Sequence, residues 1–128
     1  MIDLPIYRAK KIDSDEYIEG YLVSNLVSNS NGMPPEVYYN IQNGLFYKYR
    51  IDPATLAIHF PSMMDIKGNK IFASLQDDGR GGDILFDMEY EFTIIFDGLK
   101  FRLEGLECNT KISEYDKFTD FEVIGIQQ

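Results

Sequence analysis

His59 is the only histidine in the chain and Cys108 the only cysteine. A Ser-His-Asp or Cys-His pair has to be built on one or both of them. His59 sits in residues 55–60 (TLAIHF) between Ile58 and Phe60, and reads as an ordinary strand histidine. No nucleophile signature surrounds Cys108. One His and one Cys cannot supply the Cys/His-rich set of structural zinc. Asp77, Asp78 and Asp83 offer oxygens that suit Ca²⁺ or Mg²⁺, but lack the spacing and closing Glu of an EF-hand loop. Gly79-Arg80-Gly81-Gly82 is glycine-rich like a phosphate loop, yet no Gly-Lys-Ser/Thr and no helix follow it. The sequence shows no recognisable catalytic set, and the expectation is a protein that is not an enzyme and holds no metal or cofactor, with a metal-dependent enzyme around Asp77, Asp78 and Asp83 as the lesser alternative.

What remains is binding chemistry. Arg80 stands at the tip of the glycine loop, and Arg is enriched at binding hot spots. Tyr38, Tyr47 and Tyr49 lie on two aromatic strands together with Lys48 and Arg50. Such a set can form a protein interface, or stack the bases of a single-stranded nucleic acid. The net charge of −9, from 12 Lys and Arg against 21 Asp and Glu, repels phosphate backbones. It favours a protein partner or a homo-oligomer over nucleic acid.

The elements that position these residues read as β. Tyr and Phe number nine each, and aromatic and β-branched residues favour pleated surfaces. Residues 2–11 read as a first strand with a basic, solvated edge at Arg8, Lys10 and Lys11. Residues 17–23 form a second strand, and 24–35 a mobile loop. Asn43-Gly44 predicts a two-residue type I′ hairpin within 37–50. That register puts Tyr39, Ile41, Phe46, Lys48 and Arg50 on one face, and Tyr38, Leu45, Tyr47 and Tyr49 on the other. Asp97-Gly98 predicts a second two-residue hairpin, with Phe96 opposite Leu99, Ile94 opposite Phe101 and Phe92 opposite Leu103. Residues 55–60 and 70–75 read as strands, 77–83 as a flexible loop, 108–119 as irregular with one helical turn over 114–117, and 121–126 as a last strand.

The 51–84 stretch carries a family resemblance. Ile51-Asp52-Pro53-x-Thr55, then Asp65-x-Lys67-Gly68 with Ile71 and Phe72, then Gly82-Asp83-Ile84, resembles the YopX family of phage and prophage proteins. Tyr7-Arg8-Ala9 and Phe121-Glu122-Val123-Ile124-Gly125 are similar to the family's ends. The family has no established biochemical activity. The resemblance implies a phage or prophage setting and no mechanism.

With 128 residues, the chain suits one domain over 1–128 with a core of its own, or two small lobes over about 1–61 and 62–128. The expected fold is mainly β: antiparallel hairpins, a barrel-like C-terminal half, few short helices. A lone cysteine, no basic-apolar leader and no apolar run of about 20 residues point to the bacterial cytoplasm and away from a membrane.

Overall fold

The computed structural model describes residues 4–27, 32, 36–106, 111–113 and 118–128. Among them the fold is mainly β, with short 3-10 turns at Pro53–Thr55 and Phe118–Asp120. The strands are β1 (Ile6–Lys10), β2 (Tyr17–Val27), β3 (Glu36–Gln42), β4 (Lys48–Arg50), β5 (Ala57–His59), β6 (Ala73–Ser74), β7 (Asp83–Phe86), β8 (Glu91–Phe96), β9 (Phe101–Gly105), β10 (Lys111–Ser113) and β11 (Glu122–Ile126). They form one eleven-stranded sheet whose main path runs β10-β9-β8-β6-β5-β1-β2-β3-β4. At β8 the sheet branches, because β7 pairs β8 beside β6 and carries β11 on its other edge. All strand pairs are antiparallel except β6 with β8.

The sheet curls around two apolar clusters. One gathers Ile58, Met63, Ile71, Leu85, Phe92 and Ile94 with their neighbours. The other gathers Ala9, Ile18, Ile41, Ile51 and Leu56. Tyr7 and Leu75 pack against both. Phe60 meets Phe96 and Phe101 edge-on, and Phe92 meets Phe121 the same way, the geometry that ring quadrupoles favour.

Several sequence expectations change. β1 is a central strand between β2 and β5, so Arg8 is buried rather than at a solvated edge. β5 is buried on both faces, not half-buried, with Ala57, Ile58 and His59 all inside. The strand expected over 70–75 is reduced to Ala73–Ser74. Strand β2 runs on to Val27. The rest of the expected 24–35 loop, apart from Gly32, lies outside the described residues, as do Cys108 and the 114–117 turn. Part of the segment expected to be irregular forms β10 against β9.

Both hairpins form, but with longer loops. In the first, Gln42 pairs Lys48, Ile41 pairs Tyr49 and Asn40 pairs Arg50, with Asn43 N–H donating to Tyr47 O at 2.9 Å. A type I′ turn needs positive φ at both central residues; Gly44 has φ 89° and Asn43 does not. The observed register brings Ile51 to Tyr39, where the Ile51 N–H donates to the Tyr39 carbonyl and the side chain is buried. A two-residue loop would carry Ile51 out to Glu36. The change exchanges the faces of the second strand: Tyr49 joins Ile41 on the core side, Lys48 and Arg50 turn away, and Phe46 leaves the strand for the loop. In the second hairpin, Phe96 pairs Phe101, Ile95 pairs Arg102 and Ile94 pairs Leu103. The Asp97 carboxylate accepts the Leu99 and Lys100 N–H groups at 2.9 Å each, which stabilises a four-residue loop. The two-residue shift keeps every strand residue on its expected face. It expels only Leu99, which is 93 % exposed.

Candidate functional site

The titratable groups of the interior are occupied by structure. The buried Asp83 carboxylate places Oδ1 2.8 Å from Arg8 Nη2 and accepts the Phe72 N–H through Oδ2 at 2.8 Å. Arg8 also donates to the Gly81 carbonyl at 2.8 Å and lies over the Phe72 ring, 4.5 Å from its centroid. Burial pushes the Asp83 carboxyl above its ordinary range, against the pull of the Arg8 guanidinium. The pair ties β1 to the 79–83 loop and, through the Phe72 N–H, to the segment before β6. His59 is buried beside Phe72, with Nδ1 3.0 Å from the Ile71 carbonyl. Burial lowers its pKa, opposed by that hydrogen bond. Its contacts are structural: Nδ1 meets a backbone carbonyl and the ring meets Phe72.

Asp65 is the other buried carboxylate. Oδ1 accepts the N–H groups of Lys67 and Asn69 at 2.9 and 2.8 Å. Oδ2 accepts Asn69 Nδ2 at 3.2 Å and the Val123 N–H at 2.9 Å. Burial alone would raise its pKa; these donors, led by Val123, hold it below the ordinary value. The Ile66 N–H donates to Phe121 O, and Lys67 pairs Glu122 at 2.7 Å. So the Asp-x-Lys-Gly turn clamps the start of β11.

The aspartates once grouped as a cation loop do not converge. Asp83 faces Arg8, Asp78 caps the Arg80 N–H at 3.0 Å, and the exposed Asp77 stands 4.0 Å from Arg102. Among the described residues no three His, Cys, Asp or Glu side chains gather as metal ligands. The glycine loop is packed rather than flexible. Gly81 has φ 83°, and a Cβ there would collide with the Thr55 carbonyl oxygen.

The exterior holds the arrangement with binding capacity. Three open grooves adjoin along one side. One, of about 320 Å³, runs between Lys11-Ile12-Asp13 and Lys48-Tyr49-Arg50. The next shares Lys11, Ile12 and Asp13 with it and reaches Lys10 and Asp52. The third, about 240 Å³, shares Lys10 and Asp52 and ends at Tyr17, Arg80 and Gln128. The expected residues Lys48, Arg50, Tyr49 and Arg80 are thus brought onto one surface. Lys10 and Lys11, read only as edge charges, join them, and nothing in the sequence pairs residue 11 with residue 50. Lys11 and Lys10 have carboxylate partners in Glu16 and Asp15, and the Glu16 hydrogen bond raises the Lys11 pKa. Lys48, Arg50 and Arg80 have none among the described residues. Lys11 lies 4.4 Å over the Tyr49 ring and Arg50 4.0 Å over the Tyr38 ring. Beyond Lys48 the hairpin loop exposes Leu45, Phe46 and Tyr47 by 79 %, 85 % and 63 %.

No family model matches the chain, and no curated protein or solved structure matches it either. No helix among the described residues is long and apolar enough to cross a membrane.

Proposed function

We propose that this chain is a non-enzymatic binding module of the phage or prophage kind, acting in the bacterial cytoplasm by holding another protein. The observation that carries this reading is the bare Leu45-Phe46-Tyr47 loop running into Lys48 and Arg50, which like Arg80 farther along the same side have no carboxylate partner among the described residues. Apolar and aromatic side chains this exposed, rimmed by Arg and Lys, are the composition of a contact surface. The interior supports it too, since Arg8, His59, Asp65 and Asp83 all serve packing. The YopX resemblance supplies the phage or prophage setting of this reading.

Single-stranded nucleic acid is the second reading, favoured by Lys48 and Arg50 among the tyrosines. Against it, a cation already covers one face each of Tyr38 and Tyr49, and the net charge is −9.

The test is a tagged pull-down from bacterial lysate with and without nuclease. A stoichiometric protein that survives nuclease, and is lost with Leu45→Ser/Phe46→Ser/Tyr47→Ser, is the expected result. Capture that vanishes with nuclease would move nucleic acid to the front. Light scattering tests whether a second copy is the partner; a strict monomer removes that form.

A further inference from the structure

We infer that the outer edge of β4 takes up an extended acidic segment of the partner as an added antiparallel strand. This rests on the protein-binding reading and names the chemistry of the partner.

β4 ends the main path of the sheet. In an antiparallel ladder, alternate residues turn their backbone groups toward and away from the neighbour. Tyr47 O accepts the N–H of Asn43 just past β3, the Ile51 N–H donates to Tyr39 O of β3, and Tyr49 pairs Ile41 between them, so Tyr49 faces β3 and Lys48 and Arg50 face outward. The outward Arg50 carbonyl is already taken by the Ile12 N–H at 3.0 Å. The Lys48 N–H, the Lys48 carbonyl and the Arg50 N–H have no protein partner among the described residues. The edge thus offers two donors and one acceptor, enough for one full pair and one further bond.

Charge selects the occupant. A second copy pairing β4 with β4 would set Lys and Arg against Lys and Arg, which is unfavourable directly across a ladder. Basic residues on an edge protect it from such self-pairing. The same residues attract a strand bearing Asp or Glu, since among the described residues neither has an ion pair, and Lys11, Lys48 and Arg50 outnumber the one carboxylate of this groove, Asp13, whatever the net charge of the whole chain. The 320 Å³ groove along this edge is walled by Ile12, 54 % exposed, which suits an apolar side chain. Main-chain bonds supply affinity and alternate side chains supply selection, as in other strand additions.

The probe is a peptide of alternating Glu and Val, titrated into the ¹⁵N-labelled full chain. The Lys48 and Arg50 amides should exchange more slowly with solvent, and the Ile12 amide should shift. Lys48→Glu/Arg50→Glu should weaken binding about tenfold or more. Equal binding of a matched peptide with Lys in place of Glu, protection of the same amides by protein concentration alone, binding only of oligothymidylate, or binding that leaves both amides unprotected would each overturn strand addition. The pull-down separates the two levels. If Lys48→Glu/Arg50→Glu still captures the protein lost with the loop variant, strand addition fails and the protein-binding reading stands.

Discussion

Replacing Asp65 tests whether one carboxylate holds the last strand to the fold. In Asp65→Ala four donors lose their acceptor: the N–H groups of Lys67, Asn69 and Val123, and Asn69 Nδ2. A hydrogen bond to a charged group contributes about 1.5–3 kcal/mol net when its donor has no alternative. That value applies to Val123, whose N–H lies within the packed start of β11. Lys67 and Asn69 are exposed, so water replaces the carboxylate and each loses only ~0.5 kcal/mol. The sum is about 3 kcal/mol, or roughly 10 °C in Tm for a domain of this size. Asp65→Asn keeps the shape but turns an NH₂ toward one pair of donors, and should cost about 2 kcal/mol. Lys67→Ala, which removes only the exposed pair with Glu122, should leave the unfolding midpoint nearly unchanged. Urea unfolding measures all three. The pH dependence has a definite sign. The folded pKa of Asp65 lies below its ordinary 3.8, so its contribution is fully present above about pH 4 and is lost as pH falls through the folded value. The gap between the natural protein and Asp65→Asn should be constant above that pH and shrink as pH falls from there through the folded pKa. A loss under ~1 kcal/mol for Asp65→Ala, no larger than for Lys67→Ala, would refute the clamp.

Three further outcomes follow from the same contacts. Asp83→Ala strands the buried Arg8 charge and should cost about 3–5 kcal/mol, whereas Arg8→Met/Asp83→Leu should recover most of that loss in a denaturation cycle. Gly81→Ala, driven against the Thr55 carbonyl at positive φ, should destabilise by more than ~2 kcal/mol, while Gly98→Ala, with nothing within 4 Å, should cost only ~1 kcal/mol. An NMR titration of His59 should show a midpoint below 6.5, since burial disfavours its charged form. As its folded pKa is lowered, stability should fall as pH drops below the unfolded value.

Hairpin positions were legible because Asn-Gly and Asp-Gly announce turns locally, but loop lengths were not. Asp97 closes its loop with its own side chain, and the loop after Asn43 is set by where Ile51 must be buried. The apolar face of Phe92, Ile94 and Leu103 survived because an even shift preserves alternation. Arg8 misled because a basic residue near other lysines resembles an edge, and its partner Asp83 is 75 positions away. Alternation made residues 55–60 look half-buried, since it cannot register cover from other strands on the second face. The candidate binding residues Lys48, Arg50 and Arg80 were recognisable as types. Their meeting with Lys10 and Lys11 depends on the Lys11–Ile51 bridge, which no local pattern encodes.

The Arg8 bond to Gly81 spans 73 positions and the Asp65 bond to Val123 spans 58. Neither can reward the chain until a long loop has closed, and each joins strands that local hairpins cannot bring together. High contact order of this kind places folding at about milliseconds to seconds rather than microseconds. Until β11 docks, the outer edge of β7 stays open, so the same clamp that fixes the last strand also sets how long the nascent sheet can pair with a neighbour.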